Sequence, residues 1–356
     1  MTRDSSAPNP LLHGGILALL AAVSFGVTTP LIQRFGGASG PAATAAVLYS
    51  GAALASLGAR SSSRGTEAPV GRSHVARLLL VALVGAFIAP ICLTFGLQHS
   101  SATSASLLLN FEAVFTVFFA FCFYREAIGR RVALAVLAMA AGGALLVSSS
   151  GSAGQGLGLG TVAVVLATVG WALDNTLSRP LADLNPTQVV KWKGALGAGL
   201  SLTLALSLRQ PFPKLGALVA LLACGATGYG ASLRLYLRAQ RVIGAARTGS
   251  IFAVAPFVGA AVAWALGDRT PGPAVAAAAL LFGVGVYLHL TEQHAHRHAH
   301  PSLSHEHAHH HDDGHHDHHH DVPVVGVHSH PHTHEARVHE HVHGTDIHHR
   351  HEHDST

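Results

Sequence analysis

Two features of this 356-residue sequence could carry chemistry: an isolated carboxylate, Glu112, and a C-terminal segment crowded with histidine. Glu112 lies inside the apolar stretch Thr103–Phe123, about 14 Å from its start if the stretch is a helix rising about 1.5 Å per residue. An ionisable side chain costs about 2.5–3.5 kcal/mol to insert into hydrocarbon, so a carboxylate at this depth is a candidate to bind a cation or a proton. A packing carboxyl or a helix cap is the alternative interpretation of Glu112.

Polar residues on the same stretch could extend the site. Ser106 and Asn110 are four positions apart, as are Glu112 and Thr116, and such pairs share one face of a helix. They predict a polar stripe facing the axis of a bundle. Ordinary hydrogen bonding between helices explains such stripes equally well.

A second group of candidates lies on two other apolar stretches. The residues are Asp174, Asn175, Trp171, Thr28 and Thr29. Asp174 and Asn175 come near the end of their stretch, where helix capping is the alternative. The two threonines precede Pro30, which removes a helix hydrogen bond and frees backbone carbonyls for a ligand.

The segment 292–356 contains 25 of the 29 histidines. Fourteen of them follow an alternating pattern: His294, His296, His298, His300, His305, His307, His309, His328, His330, His332, His334, His339, His341 and His343. An extended chain places alternate residues on one side, and neutral imidazole is a ligand for nickel, cobalt, zinc and copper. The pattern predicts a metal-binding tail that is disordered without metal, because it lacks apolar residues. Delivery, sensing, buffering of metal and a pH-responsive charge switch all remain open for it.

The rest of the chain has the composition of a membrane protein. Only 11% of all residues are charged, against about 25% in ordinary globular proteins. Most uncharged stretches exceed the roughly 18 residues that span hydrocarbon, which excludes a soluble single domain. Ten spans are predicted: His13–Ile32, Ala42–Ala59, Leu78–Leu97, Thr103–Phe123, Val132–Ser148, Leu157–Leu177, Val189–Leu208, Leu215–Leu237, Thr248–Leu266 and Ala274–Leu290.

The charges between these spans predict the orientation. With the N-terminus inside, the inner segments collect 15 Lys and Arg and the outer loops collect four, so both termini are expected in the cytosol. Two halves of five spans each, an odd number, insert in opposite orientation. The predicted organisation is therefore a cytoplasmic N-terminus (1–11), a first repeat (12–148), a periplasmic linker (149–156), a second repeat (157–291) and the cytosolic tail (292–356).

Three motifs resemble a known family. Leu109-Asn110-Phe111-Glu112-Ala113-Val114, with Glu126 after it, is similar to the Leu-Glu-Pro-Val stretch and closing Gly-Glu of EamA-type transporters in the drug/metabolite transporter superfamily. Ala255-Pro256-Phe257 keeps the proline of that stretch, and Trp171 resembles the tryptophan that opens the second repeat. The resemblance implies an all-α integral membrane protein of two inverted five-helix repeats. Its members export amino acids and metabolites, carry sugar phosphates or export nickel or cobalt.

We therefore expect a secondary exporter in the bacterial inner membrane, with nickel, cobalt or zinc as substrate and the tail as cytosolic sensor or delivery segment. An exporter of amino acids or small metabolites is the alternative, and a membrane-anchored metal buffer is a remote one. The expected partners are the lipid bilayer and the solute or metal ion, with no nucleic acid, and a homodimer is left open. No enzyme activity and no required cofactor are expected, because nucleophile-elbow and phosphate-binding glycine motifs are missing from the sequence.

Overall fold

The computed structural model of the chain contains a bundle of long apolar helices, followed by a C-terminal tail whose strands pair with one another. It describes residues 10–58, 68–124, 129–150, 158–181, 184–243, 245–269, 272–291, 294–300, 303–309, 328–334 and 337–343. The predicted N-terminal segment 1–11 and linker 149–156 lie almost wholly outside these residues.

Within the described residues, fourteen α-helices form the bundle. They are α1 (Pro10–Gly36), α2 (Pro41–Gly58), α3 (Val75–Val81), α4 (Ala89–Gln98), α5 (Ala102–Leu108), α6 (Phe111–Tyr124), α7 (Arg130–Ser150), α8 (Leu159–Ser178), α9 (Pro186–Ser207), α10 (Leu215–Cys224), α11 (Ser232–Ile243), α12 (Ala245–Phe252), α13 (Ala255–Ala265) and α14 (Pro273–Leu290). Short 3-10 turns cover Arg72–His74 and Arg179–Leu181.

Eight stretches are long and apolar enough to cross a membrane. They are Leu12–Gly36, Pro41–Gly58, Arg72–Gln98, Ala102–Phe123, Arg130–Ser148, Leu159–Ser178, Leu215–Ile243 and Thr248–Ala265. The two other predicted spans correspond to α9 and to the shorter apolar helix Pro273–Leu288. Both pack within the bundle, α9 against α2 and α14 against α7.

One predicted boundary differs clearly from the structure. The sequence predicts that the eighth span ends at about Leu237, but the helix continues to Ile243. Leu237, Ala239 and Ile243 are buried in this last part, while Arg241 on another side of the helix is partly exposed. The helix therefore continues as an amphipathic one, which the uncharged-stretch criterion cannot detect.

Each half of the chain contains a π-helical segment at the same place. Ala82–Ile88 joins α3 to α4, and Gly225–Ala231 joins α10 to α11. Each begins ten residues after its apolar stretch begins, at Arg72 and at Leu215. A π-helical turn shifts the backbone hydrogen bonds and often occurs at functional sites.

Each half also contains a helix broken near its middle. In Ala102–Phe123 the break falls at Leu109 and Asn110, between α5 and α6. In Thr248–Ala265 the stretch Ala253–Val254 separates α12 from α13. Amides on both sides of each break bond carbonyls three residues back, such as Glu112 N to Leu109 O at 3.0 Å and Phe257 N to Val254 O at 3.0 Å. Discontinuous helices of this kind form the binding sites of many transporters.

Small residues allow the close packing of the two halves. A side chain at Gly225 would meet the Leu48 carbonyl oxygen at 1.9 Å, and one at Gly197 would meet Ala86 at 2.6 Å. These glycines therefore set the distance between α2 and the second π-helical segment and between α9 and the first.

Three glutamines connect the loops at one end of the bundle. Gln33 Nε2 donates to the carbonyls of Leu97 and Ser100, both at 2.7 Å. Gln98 Nε2 donates to the carbonyls of Gly36 at 3.1 Å and Ser39 at 2.8 Å. At the same end, Gln210 Oε1 accepts from the Ala42 and Ala43 amides at 2.9 and 3.2 Å. We call this hydrogen-bonded layer the glutamine seal.

Four seven-residue strands form in the tail: β1 (His294–His300), β2 (Leu303–His309), β3 (His328–His334) and β4 (Arg337–His343). They pair as two nested antiparallel ladders, β1 with β4 and β2 with β3. The register places His296 opposite His341 and His307 opposite His330. The prediction of a disordered tail is therefore not confirmed, because these four segments pair as strands.

Candidate functional site

Glu112 and Asn175 meet in the middle of the bundle. Asn175 Nδ2 donates a hydrogen bond to Glu112 Oε1 at 2.7 Å, and this contact links α6 to α8. Glu112 is the second residue of α6, directly after the break in its helix. The carboxylate therefore lies where the chain passes from one half-helix to the next, with the Asn175 amide as its partner.

Asp174, the neighbour of Asn175, forms a buried ion pair with Lys193 of α9. Only 4% of Asp174 and 6% of Lys193 is exposed. Ser178 Oγ also donates to Asp174 Oδ1 at 3.1 Å, one helical turn further along α8. Removing either charge would leave the other buried without compensation, which typically costs about 3–5 kcal/mol.

Sequence reasoning misses the role of Lys193, because it assigns this residue to the charges of a cytoplasmic segment. The structure buries it on α9, a helix that begins at Pro186. The sequence does contain a signal for the burial of Lys193, because this residue falls inside the predicted span Val189–Leu208. Asp174 was expected near a helix end where capping is easy, and the structure gives it a buried cation instead.

Gly85 of the first π-helical segment makes room for the Asp174 carboxylate. A Cβ at this position would lie 2.3 Å from Cγ and from Oδ2 of Asp174. The Gly85 carbonyl oxygen also accepts two hydrogen bonds, from Tyr49 Oη at 2.7 Å and from Trp171 Nε1 at 3.0 Å. Gly85 thus connects the ion pair to the aromatic residues of the core.

The aromatic residues form a continuous series of ring contacts. Trp171 and Tyr229 each contact Phe25 with ring centroids 5.7 Å apart. Phe25 contacts Phe252 at 5.6 Å, and Phe252 contacts Tyr236 at 5.1 Å. Edge and tilted arrangements of this kind make a rigid apolar wall that reaches from the centre of the bundle to α11.

A small cavity of about 30 Å³ lies between α8, α9 and α11. Its polar lining residues are Asn175, Ser178, Lys193, Tyr236 and Gln240, and its apolar lining residues are Leu181, Val189, Leu233 and Leu237. Asn175 and Lys193 belong both to the cavity and to the charged contacts just described. Asn175 therefore connects the cavity to Glu112, and Lys193 and Ser178 connect it to Asp174.

The predicted stripe on α5 and α6 is only partly present. Asn110 lies in the break rather than on α5, so Ser106 and Asn110 do not share a continuous helix. Both are buried, and Ser106 Oγ and Asn110 Oδ1 have no hydrogen-bond partner in the part of the chain that the structure describes. Thr116 donates to the backbone carbonyl of Glu112 at 2.7 Å, which satisfies its hydroxyl within the helix.

The two threonines before Pro30 are also buried on α1. Thr28 Oγ1 donates to the Phe25 carbonyl at 2.6 Å, and a Cβ at Gly228 would lie 2.5 Å from the same hydroxyl oxygen. Thr29 is 1% exposed. Thr28 thus contacts the second π-helical segment, as Asp174 contacts the first.

In the part of the chain whose side chains are described, no three His, Cys, Asp or Glu residues come together as a metal-binding group. The fourteen alternating histidines lie on β1 to β4, whose side chains are outside that part. For the tail, only the backbone register bears on metal binding.

These observations define a multi-pass helical membrane protein made of two repeats, with an ionisable site and a cavity between its helices. Residues 12–148 and 158–291 each match the EamA-like transporter family, and the chain belongs to this family. The family consists of transporters rather than enzymes, which agrees with the sequence-based expectation.

Two individual proteins are also similar to this chain. An uncharacterized transporter of Methanothermobacter thermautotrophicus is 29% identical over 205 residues, which are 56% of this chain and 60% of that protein. A crystal structure that is 18% identical in sequence superimposes with a TM-score of 0.56, covering 78% of this chain and 94% of the other. At that identity the superposition shows a shared fold alone.

Proposed function

We propose that this chain is a secondary transporter of the bacterial inner membrane that exports a small organic solute by alternating access. The proposal includes ten spans in two inverted repeats, with both termini in the cytosol. The observation that supports it most strongly is the cavity between α8, α9 and α11. Two of its lining residues bind buried carboxylates: Asn175 binds Glu112, and Lys193 binds Asp174.

The two ends of the bundle differ in a way that alternating access requires. With the N-terminus in the cytosol, the cavity lies near the cytosolic ends of α8 and α11, because Leu181 and Gln240 line it. The glutamine seal then lies at the periplasmic end. In this proposal the arrangement corresponds to an inward-facing state whose periplasmic end is closed.

Glu112 is the group best placed to couple transport to a proton. It lies at the break between two half-helices, and one of its oxygens is bound by Asn175. Binding a proton would convert a carboxylate acceptor into a group that can also donate, which changes its contact with α8. A change of partner at a helix break is the kind of local event that tilts one half-helix against another.

The cavity lining favours an organic solute over a bare metal ion. Four apolar residues, Leu181, Val189, Leu233 and Leu237, line it together with the Lys193 ammonium. Such a mixture suits a solute with an apolar body and a polar or charged end. A divalent cation prefers carboxylate, imidazole or thiolate ligands and would be repelled by a lysine.

Counterflow in proteoliposomes tests this function. Vesicles containing the purified full chain are loaded with a mixture of unlabelled amino acids, and uptake of each labelled amino acid is followed with and without an imposed proton gradient. We expect uptake that depends on the chain and is lost in Glu112→Gln. Uptake equal to that of empty vesicles for every labelled solute would contradict the proposal.

Metal export is a second candidate, favoured by one observation. The tail ladders place histidines opposite one another, such as His298 opposite His339 and His305 opposite His332. Antiparallel partners have Cα atoms about 4.5–5.5 Å apart, close enough for two imidazoles to share one ion. The same vesicles are therefore loaded with nickel, cobalt or zinc; metal flux that requires Glu112 would favour this candidate over the organic solute.

A further inference from the structure

We infer that Lys193 binds an anionic group of the solute and that Asp174 is the internal anion which the solute displaces. The inference rests on the proposed transport function and specifies its substrate class: a small organic anion or zwitterion with an apolar body. The anionic group is a carboxylate or a phosphate ester, and the probes below distinguish the two.

The first support is the burial of a complete charge pair beside a cavity. Lys193 and Asp174 are both more than nine-tenths buried, yet the Lys193 side chain also lines the cavity. Ionisable residues inside a membrane bundle are costly and commonly mark a substrate path. An ammonium that already has one carboxylate partner can exchange it for another without ever being left unpaired.

The second support is the way Asp174 is held. Ser178 Oγ donates to Asp174 Oδ1 at 3.1 Å, whereas Lys193 contacts the other oxygen, Oδ2. When a solute anion takes Lys193, Asp174 still keeps a hydroxyl donor. With a purely anionic solute, the released Asp174 oxygen can take up a proton. With a zwitterionic solute, it can accept a hydrogen bond from the solute's ammonium group. The charges in the site are therefore balanced in both cases.

The third support is the composition of the rest of the cavity. Tyr236 and Gln240 offer hydrogen-bonding groups on α11, opposite Lys193 on α9. Leu233 and Leu237 stand on the same helix and give an apolar surface between them. A solute with an anionic end and an apolar body matches this division, with its anionic end at Lys193 and its apolar body against α11.

The test uses four probes that share a branched apolar body: leucine, leucinamide, 4-methylpentanoate and 3-methylbutyl phosphate. Binding to the purified full-length chain is measured by isothermal calorimetry. We expect leucine and at least one pure anion to bind and leucinamide to bind at least about tenfold more weakly, since it lacks the anion. The pure anion that binds distinguishes a carboxylate from a phosphate.

Substitutions at Lys193 test whether its ammonium group binds the anion. Lys193→Met is expected to lose anion binding by at least about tenfold. The matched control is Lys191→Met: Lys191 is on the same helix, but its ammonium lies 4.9 Å from the Trp192 ring centroid rather than in the pair. Because Lys193→Met leaves Asp174 uncompensated, the double variant Asp174→Asn/Lys193→Met provides a second chain without the cation.

Asp174→Asn alone gives the most specific result. If Asp174 is a displaceable anion, its removal should strengthen binding of the pure anion, by about tenfold for each 1.4 kcal/mol of competition removed. Unchanged or weaker binding of the pure anion in Asp174→Asn would contradict the displacement of Asp174. Equal binding of leucine and leucinamide, unchanged binding in both Lys193 variants, or binding of none of the four probes would overturn the inference. Counterflow of other solutes could require Glu112 and still persist in the double variant Asp174→Asn/Lys193→Met. That result would support the proposed transport function and overturn the inference about Lys193 and Asp174.

Discussion

Asn175 Nδ2 lies 2.7 Å from Glu112 Oε1, and this one contact joins the broken helix of the first repeat to the first helix of the second. Asp174, the residue before Asn175, carries the buried contact to Lys193. Two consecutive residues of α8 therefore hold a carboxylate site on one side and a cation site on the other. A small rotation of α8 would change both contacts together.

Glu112→Gln is expected to reduce solute flux to the level of empty vesicles while the chain still folds. Glutamine keeps an oxygen that can accept from Asn175, but it cannot carry a proton. The matched control is Thr116→Val one turn away, because the Thr116 hydroxyl bonds only a carbonyl of its own helix in the described contacts. Counterflow with both variants checks the prediction; equal loss in both would mean that α6 is merely damaged.

Gly85→Ala is expected to destabilise the chain by about 1–3 kcal/mol, the usual cost of overpacking. The added methyl would lie 2.3 Å from the Asp174 carboxylate carbon and must displace it. Gly199→Ala is the control, since a methyl group added there would meet nothing within 4 Å and alanine favours a helix. Thermal unfolding in detergent compares the two, and an unfolding midpoint for Gly85→Ala equal to the wild type would contradict the packing described above.

Gln98→Leu is expected to weaken the glutamine seal. The substitution removes two hydrogen bonds, about 2 kcal/mol in all at about 1 kcal/mol each. That free energy corresponds to a rise of up to about thirtyfold in the outward-open population. Cys224, which is 5% exposed, serves as the reporter after Cys92 and Cys122 are changed to serine.

The measurement is the rate at which a membrane-impermeant thiol reagent labels Cys224 from the periplasmic side. Ser207→Ala is the control at the same end, because the Ser207 hydroxyl donates to the Thr203 carbonyl of its own helix. Faster labelling in Gln98→Leu alone is the expected outcome. Equal rates in all three chains would indicate that the seal does not limit access.

The tail is expected to bind a number of nickel or zinc ions that increases with its number of histidines. A chain ending at Glu292 should lose this binding. Imidazole must be neutral to bind a metal, so affinity should fall as the pH drops below about 6.5. Equilibrium dialysis at several pH values measures it. Equal binding by the full and shortened chains would contradict the prediction.

The strand register predicts which histidines of the tail bind the same metal ion. His296 pairs with His341, so changing either to asparagine should cost the same affinity, and changing both should cost little more. A control pair out of register, His296 with His330, should show additive losses. Additive losses in both pairs would mean that the histidines bind independently of the register.

The bundle could be predicted from the sequence because its cause is local. Long uncharged stretches identify spans, and the motif around Glu112 identifies the family; both signals come from consecutive residues. The predicted polar stripe is present only in part, because the break at Asn110 separates Ser106 from Asn110 while Glu112 and Thr116 stay together on α6.

The buried pair and the cavity could not be predicted in the same way. Lys193 and Asp174 are 19 positions apart on different helices, and no spacing rule connects them. Gly85 offers even less signal, because its importance comes from the absence of a side chain facing Asp174. Such relationships depend on the packing of three helices, which a single sequence does not reveal.

Solute counterflow in proteoliposomes under an imposed proton gradient tests proton-coupled export most directly, when the full chain is compared with Glu112→Gln and with the double variant Asp174→Asn/Lys193→Met. We expect the full chain to transport at least one amino acid or related organic anion at a rate that the gradient changes. Both variants should fall to the background of empty vesicles. Transport of the organic solute that persists in both variants, or transport of nickel, cobalt or zinc alone, would contradict proton-coupled export of an organic solute through this site.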